Sequence, residues 1–376
     1  MGYMEKSIYS KRLAALRQHL KEAPMGDCDT AWIIHPENRR YLSGFKAEDT
    51  QFTESSGSLL INDARSLLVT DSRYVLEAEK EAINFEVQIL KQGLVEDLPG
   101  LVKGMGTKKL GFEENYLTWG LHKGFTEKLK TLSPQVDLVP LNGLVEEMRE
   151  VKDEEETKAI EDAADLISEI FNEIIAKLKP GMTEKEVAWE IEDLARHGGA
   201  ESLSFPSIVA SGPNSALPHA VPTDRKLGSK EPVIIDAGVR LNGYCSDMTR
   251  TVFLGGPGED FRVIYRTVRH AQIAALKEVR PLVDSTHLDG IARGVISEAG
   301  FGEYFGHGLG HGVGLAVHER PKVGPRTPVK LRKGTVFTVE PGIYIPGKGG
   351  VRLEEMVLVE DKGPRILTKN DHIYDL

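Results

Sequence analysis

The sequence predicts an α/β protein with α+β character. A small α/β domain occupies residues 1–145, and a larger domain over 151–376 is built from a duplicated helix–helix–strands unit. Three observations carry this reading. Short apolar strands and helical stretches alternate up to about residue 145. Beyond it, long helical stripes lead into runs of strands, and the order occurs twice. Pro180 and Pro281, each following the first long helix of a unit, stand 101 positions apart. A chain of 376 residues also exceeds what one compact core ordinarily serves.

In the first domain, Leu13, Leu16 and Leu20 share one helical face of the segment MGYMEKSIYSKRLAALRQHLKEA. Residues 31–34 and 58–61 read as strands, Asn62-Asp63 as a turn, and 66–70 as the next strand. The segment RYVLEAEKEA, after Asp71, reads as a helix.

In the second domain, Ile160, Ala163, Ile167, Ile170, Ile174 and Leu178 recur at helical spacing, and Pro180-Gly181 stops the helix. Thr183 and Glu186 form a capping box for a second helix that ends near Gly198-Gly199. Strands follow to about Leu254. The order then returns: Phe261, Ile264, Val268, Ala271, Ala275 and Val279 form a stripe closed by Pro281. A shorter helix carries Leu288, Ile291, Val295 and Ala299, and strands run to Glu360. Two such units side by side predict one curved sheet with helices on one face and a site on the other.

Composition excludes several functions. A net charge of −10, with acids spread along the chain, argues against a nucleic-acid or acidic-membrane surface. No apolar run approaches the ~18 residues of a membrane span. The N-terminal stretch lacks the apolar core of a signal peptide, and Lys6 stands where a myristoylation signal needs Ser or Thr. Two cysteines, Cys28 and Cys245, provide no disulfide framework or metal knuckle, which suits a reducing cytoplasm.

The chemistry concentrates in the second domain. In EPVIIDAGVRLNGYCSDMTRTVFLG, Asn242-Gly243 signals a type I′ hairpin. A regular register then sets Leu241 opposite Tyr244 and Asp236 opposite Thr249, so Asp236 and Asp247 share one face. The second unit offers a parallel pair: Glu340 ends an apolar strand 104 positions after Asp236, and Glu354 lies 107 positions after Asp247. Val351, Leu353, Val357 and Val359 take one face of that strand, and Arg352, Glu354 and Met356 the other. Taken singly, such acids are ordinary solvated side chains. As a set they differ, because two like charges ~4 Å apart repel by ~4 kcal/mol at an effective dielectric of 20. Four clustered carboxylates call for cations, and two divalent ions balance them.

The segment HGLGHGVGLAVHE spans residues 307–319. His307 and His311 have helical i, i+4 spacing, but Gly308, Gly310, Gly312 and Gly314 each cost a helix ~1 kcal/mol relative to Ala. A glycine-rich strand or loop that admits close approach is expected instead. Lys322 stands where a zincin motif starting at His318-Glu319 needs its second His.

The segments SFPSIVASGPNSALPHA, VIIDAG, GYCSDMTRT, HGLGHGVGLAVHE, VEPGIY and VRLEEMVLV, in this order, resemble the pita-bread metallopeptidases, the family of methionine aminopeptidase, aminopeptidase P, prolidase and creatinase. The likeness spans nearly the whole chain and is strongest from Val151 onward. It implies a pita-bread catalytic domain whose duplicated units are related by a pseudo-twofold. It also implies dinuclear ligands at Asp236, Asp247, His311, Glu340 and Glu354, with Asp247 and Glu354 bridging. His219 and His318 match the pair flanking the scissile region of the substrate, His307 a further active-site histidine, and Arg352 a polar residue beside Glu354. The segments NRRYLSGFKAED and LLVTDSRYVLEA resemble the N-terminal domain of the creatinase and prolidase branch, which methionine aminopeptidase usually lacks. One position departs: Ala316 stands where many prolidases and aminopeptidases P carry an acid.

The resemblance implies metal-assisted hydrolysis of the bond before a proline in the second position of a small peptide. Glu340 would carry a proton to the leaving nitrogen, and His318 would stabilise the oxyanion. An oxygen-rich set with one imidazole favours two Mn²⁺ ions, with Co²⁺ or Zn²⁺ as substitutes. A homodimer is a further implication. A dipeptide and a longer peptide both remain as substrates. So do two rival readings: a creatinase-like or other amide hydrolase, and a non-catalytic binding protein on the same scaffold.

Overall fold

The computed structural model describes residues 2–22, 28–48 and 55–369, with side chains from residue 8 onward. The chain divides into two compact units, Met1–Met148 and Arg149–Leu376.

In the first unit, α1 (Gly2–His19) precedes β1 (Thr30–Ile33), α2 (Pro36–Ser43), β2 (Ser58–Asn62) and β3 (Ser66–Thr70). Then come α3 (Val75–Glu81), β4 (Glu86–Ile89), α4 (Leu94–Gly104), β5 (Lys109–Phe112), α5 (Trp119–Lys130) and β6 (Asp137–Pro140), with α6 (Leu144–Glu150) crossing the division. The sheet order is β4-β3-β2-β1-β5-β6. Only β2 runs antiparallel to its neighbours, because a tight hairpin joins it to β3 while helices make the parallel crossovers. Trp32, Leu60, Leu67, Val69 and Leu110 from the sheet pack with Leu98 and Val102 of α4 and Phe125 and Leu129 of α5. Leu13, Leu16 and Leu20 are buried as their spacing predicts. Glu113, just after β5, is a buried acid that accepts from Ile34 N–H (2.5 Å), His35 N–H (2.7 Å) and Asn38 Nδ2 (2.7 Å).

The second unit opens with α7 (Glu154–Lys177) and α8 (Glu184–His197), followed by β7 (Ser202–Leu203), β8 (Ile208–Ser211), β9 (Pro232–Ala237), β10 (Val239–Leu241), β11 (Tyr244–Cys245) and β12 (Met248–Phe253). Its second half repeats the order with α9 (Glu259–Glu278), α10 (Ser285–Glu298), β13 (Gly310–Gly312), β14 (Glu319–Val323), β15 (Val336–Val339), β16 (Gly342–Ile345), β17 (Gly349–Arg352), β18 (Glu355–Glu360) and β19 (Gly363–Ile366). Both α8 and α10 are 14 residues long and start 101 positions apart, the separation of the two prolines. Capping boxes form at Asp153 with Glu156 and at Thr183 with Glu186. The stripes of α7 and α9 are buried except for Leu178 and Phe261 at their ends, which are half-buried.

Two expectations are corrected. On α10 the buried face is Leu288, Ala292 and Ile296, while Ile291 and Val295 are half-buried and Ala299 is exposed. Steps of three and four both fit a helical stripe, and the core against β14 selects the four-step face. The strands also form separate sheets, β12-β9-β8, β11-β10-β7, β14-β13-β15-β18-β19 and β16-β17, in place of one uninterrupted sheet. Where the halves meet, Glu354 N–H donates to Thr249 O (3.2 Å). The Thr251 hydroxyl donates to Arg352 O (2.8 Å) and accepts from Arg352 N–H (3.1 Å). A side chain thus substitutes for a ladder bond at this seam. No helix among the described residues is long and apolar enough to cross a membrane.

Candidate metal centre

The first pair of carboxylates is set by the hairpin. Asn242 (φ 52°) and Gly243 (φ 84°) both adopt the positive φ that a type I′ turn requires. Leu241 pairs with Tyr244 and Asp236 with Thr249, so one register runs through the hairpin. Gly238 makes this possible, since a Cβ there would lie 1.9 Å from Ser246 O. Asp236 lies in β9, and Asp247 immediately precedes β12. In the second half Glu340 follows β15 and Glu354 immediately precedes β18, at the equivalent place.

The histidine segment forms strand β13 flanked by loop, with a bulge between His311 and Gly312. Its glycines answer to space. A Cβ on Gly310 would meet Thr338 O at 2.0 Å, and one on Gly312 would meet Arg320 O at 2.0 Å. This close packing presents His311: its Nε2 is 3.5 Å from Asp247 Oδ2 and 3.4 Å from Glu340 Oε1. One ligand atom each from Asp247, His311 and Glu354 fall within 4.8 Å of one another. Gly312 O lies 3.1 Å from His311 Nδ1, which directs Nε2 to the carboxylates.

Asp236, Asp247, Glu340, Glu354 and His311 line one cavity of about 500 Å³, together with His219, His307, His318 and Arg352. The structure therefore brings the five predicted ligands, the three further histidines and Arg352 to one place. Phe205, Ile208, Pro218, Val221 and Pro222 add an apolar wall.

The electrostatics are those of an acid cluster short of positive charge. Burial, then the charges of Glu354, Asp236 and Glu340, push the Asp247 carboxyl well above its ordinary range. Burial and the charges of Glu340 and Asp236 do the same to Glu354, and burial raises Glu340. Arg352 is the cation bonded to the cluster: Nη2 lies 2.6 Å from Asp236 Oδ2, Nη1 2.9 Å from Tyr344 Oη, and Nε 3.1 Å from Thr249 Oγ1. Asp236 Oδ1 is buried without a hydrogen-bond partner. Buried carboxylates leaving an acceptor unpaired beside one imidazole fit divalent cations as ligands.

Polar groups behind the cluster orient it. Thr249 Oγ1 donates to Glu354 Oε2 (2.7 Å). Thr338 Oγ1 donates to Glu340 Oε1 (3.1 Å) and accepts from His311 N–H (3.1 Å). Tyr344 Oη is 2.9 Å from His307 Nε2, and burial pushes the phenol up to about 12. Burial and the charge of His311 press His318 down to about 4, and burial also lowers His307, so both rings are neutral at pH 7. The rings of His311 and His318 lie 4.1 Å apart. His219 is exposed at the cavity wall, and Ala316 is half-buried, its N–H 3.4 Å from Glu319 Oε2. Glu319 anchors the end of the segment. Burial disfavours its charge, but Lys152 (2.7 Å) and Arg149 outweigh this and hold its carboxyl low.

The sequence analysis missed Tyr344, Thr249 and Thr338 as members of the site. Two had a signal: Thr249 faces Asp236 in the predicted register, and Tyr344 lies in VEPGIY.

Residues 158–361 match the family described as Metallopeptidase family M24, and residues 12–151 match the Creatinase/Prolidase N-terminal domain. The chain is 38% identical to an Xaa-Pro dipeptidase of Pyrococcus horikoshii over 345 residues, covering 91% of this chain and 93% of that one. It is similar to the solved structure of an Xaa-Pro dipeptidase from Bacillus anthracis (TM-score 0.89, 36% identity, 96% and 98% coverage). An X-Pro aminopeptidase from Thermotoga maritima is also similar (TM-score 0.82, 36% identity, 95% and 97% coverage).

Proposed function

The chain belongs to metallopeptidase family M24, and from that premise we propose that it is a metal-dependent Xaa-Pro peptidase whose substrate is the Xaa-Pro dipeptide. The observation that carries the reading is the convergence of Asp236, Asp247, Glu340 and Glu354 with His311 on one cavity. In this reading those five side chains hold two divalent ions, and an oxygen-rich set with one imidazole favours Mn²⁺. Dipeptide cleavage is favoured by the likeness to Xaa-Pro dipeptidases over nine-tenths of the chain.

When bound, the ions supply Lewis-acid polarisation of the scissile carbonyl and a hydrolytic water of lowered pKa. The protein supplies the rest. The apolar wall at Phe205, Ile208, Pro218, Val221 and Pro222 suits a pyrrolidine ring. A proline nitrogen has no N–H to donate, so recognition of this bond falls to shape and to the carbonyl. His318, neutral because its pKa is held near 4, donates an N–H to the developing oxyanion. His219 and His318 flank the scissile region, and His307 is a further histidine that meets the substrate. Glu340, at the cavity wall, would take up the proton released by the attacking water and deliver it to the leaving proline nitrogen. The thiols of Cys28 and Cys245 are buried, in keeping with a reducing cytoplasm as the place of action. A homodimer is part of the proposal.

An Xaa-Pro aminopeptidase acting on longer peptides is the second reading, favoured by the likeness to the Thermotoga maritima enzyme. Hydrolysis of Xaa-Pro and of Xaa-Pro-Yaa-Zaa with manganese added separates the two. Faster turnover of the dipeptide is expected. Preference for the tetrapeptide would select the aminopeptidase, and cleavage of neither would overturn the assignment.

A further inference from the structure

Glu184, the first residue of α8, has no part in the chemistry described above, yet its side chain is fully buried and enclosed by donors. Its Oε1 accepts from Ser211 N–H (2.7 Å), Ser211 Oγ (2.8 Å) and Asn214 Nδ2 (3.1 Å). Its Oε2 accepts from Asn214 Nδ2 (3.1 Å), Thr223 N–H (3.0 Å) and Thr223 Oγ1 (2.6 Å). Ser211 is the last residue of β8, and Thr223 closes the loop that follows. Pro218, His219, Ala220, Val221 and Pro222, between them, form part of the cavity wall. One carboxylate therefore joins both ends of the segment that carries His219. Arg352 Nη1 holds its middle through Pro218 O (3.2 Å).

We propose that Glu184 is a positioning residue for the peptidase reaction, closing the 211–223 loop so that His219 faces the metal cavity. The inference rests on His219 meeting the substrate. A carboxylate offers acceptors at both oxygens, matching the backbone N–H, hydroxyl and amide donors that surround it. Glu184→Gln keeps the shape but sets an NH₂ against donors at one end of the loop, which then loses its tether. A ring displaced by about 1 Å can cost about a hundredfold in rate.

The test is a double-mutant cycle on Xaa-Pro hydrolysis by the manganese-loaded enzyme, with Glu184→Gln, His219→Ala and both together. The expected result is a loss of roughly tenfold to a hundredfold in kcat/KM for Glu184→Gln, and a double variant no slower than His219→Ala. Proteolytic nicking within 212–222 should also rise in Glu184→Gln. Wild-type kcat/KM in Glu184→Gln beside an impaired His219→Ala overturns the inference. So does a double variant slower by the product of the single losses, because Glu184 then acts through something else. A His219→Ala enzyme at the wild-type rate instead removes the reading of His219, and the inference with it. Thr223→Val, which deletes one hydroxyl donor and spares α8, repeats the cycle if Glu184→Gln does not fold.

Discussion

Arg352 Nη2 lies 2.6 Å from Asp236 Oδ2, while Oδ1 of the same carboxylate is buried with no hydrogen-bond partner. One oxygen is thus committed to a fixed cation, and the other would face the proposed metal ion. The same guanidinium reaches Tyr344 Oη, Thr249 Oγ1 and Pro218 O. A lysine offers three donors on a point charge and cannot span these acceptors. Arg352→Lys should lower kcat/KM by roughly tenfold to a hundredfold and lower the Tm of the metal-free protein. Steady-state kinetics and thermal melts measure both.

Asp247 is raised by its burial and by Glu354, Asp236 and Glu340, so its charge opposes the metal-free fold. Asp247→Asn should raise the Tm of metal-free protein at pH 8. It should also abolish both hydrolysis and the rise in Tm that manganese gives the wild type. His311→Ala should abolish the same two properties while leaving the fold intact. Melts with and without manganese read these outcomes, and full activity of either variant would refute the ligand set.

Gly310 packs against the strand that carries Thr338, beside the proposed ligands. A Cβ there meets Thr338 O at 2.0 Å and Thr338 Oγ1 at 2.7 Å, and that hydroxyl holds both His311 N–H and Glu340 Oε1. Gly310→Ala should therefore destabilise by about 1–3 kcal/mol and remove most activity. Urea unfolding and peptide hydrolysis test the pair of effects.

Glu113 in the first unit gives a pH signature of its own. Burial raises its carboxyl to about 7 from 4.5, against the pull of its Asn38, His35 and Ile34 donors. The folded pKa lies above the unfolded one, so the folded state binds the proton more tightly. The stabilisation is full below pH 4.5 and is lost as pH rises through 7, a change of roughly 3 kcal/mol. Glu113→Gln should flatten this slope. Urea midpoints of the full chain at pH 5 and pH 8, followed by tryptophan fluorescence, compare the two proteins.

Local sequence determined the elements and much of the site's framework. The capping box at Thr183 and Glu186 and the Asn242-Gly243 turn are interactions between neighbours, so their residues specify them without the rest of the chain. The turn also set the register that places Asp236 and Asp247 on one face, because side chains alternate strictly along a strand. The motif resemblance pointed to the acids and histidines that line the cavity. Tertiary structure decided the rest. The buried face of α10 followed the strand it packs against, since three- and four-residue steps are equivalent in an isolated helix. The seam through Thr251 and Arg352, the Tyr344 bond to His307 and the closure of Ser211 and Thr223 on Glu184 join residues 27 to 101 positions apart. Periodicity and turn chemistry act over a few residues. Which distant donor meets which buried acceptor is settled only when the chain packs and each desolvated polar group must find a partner.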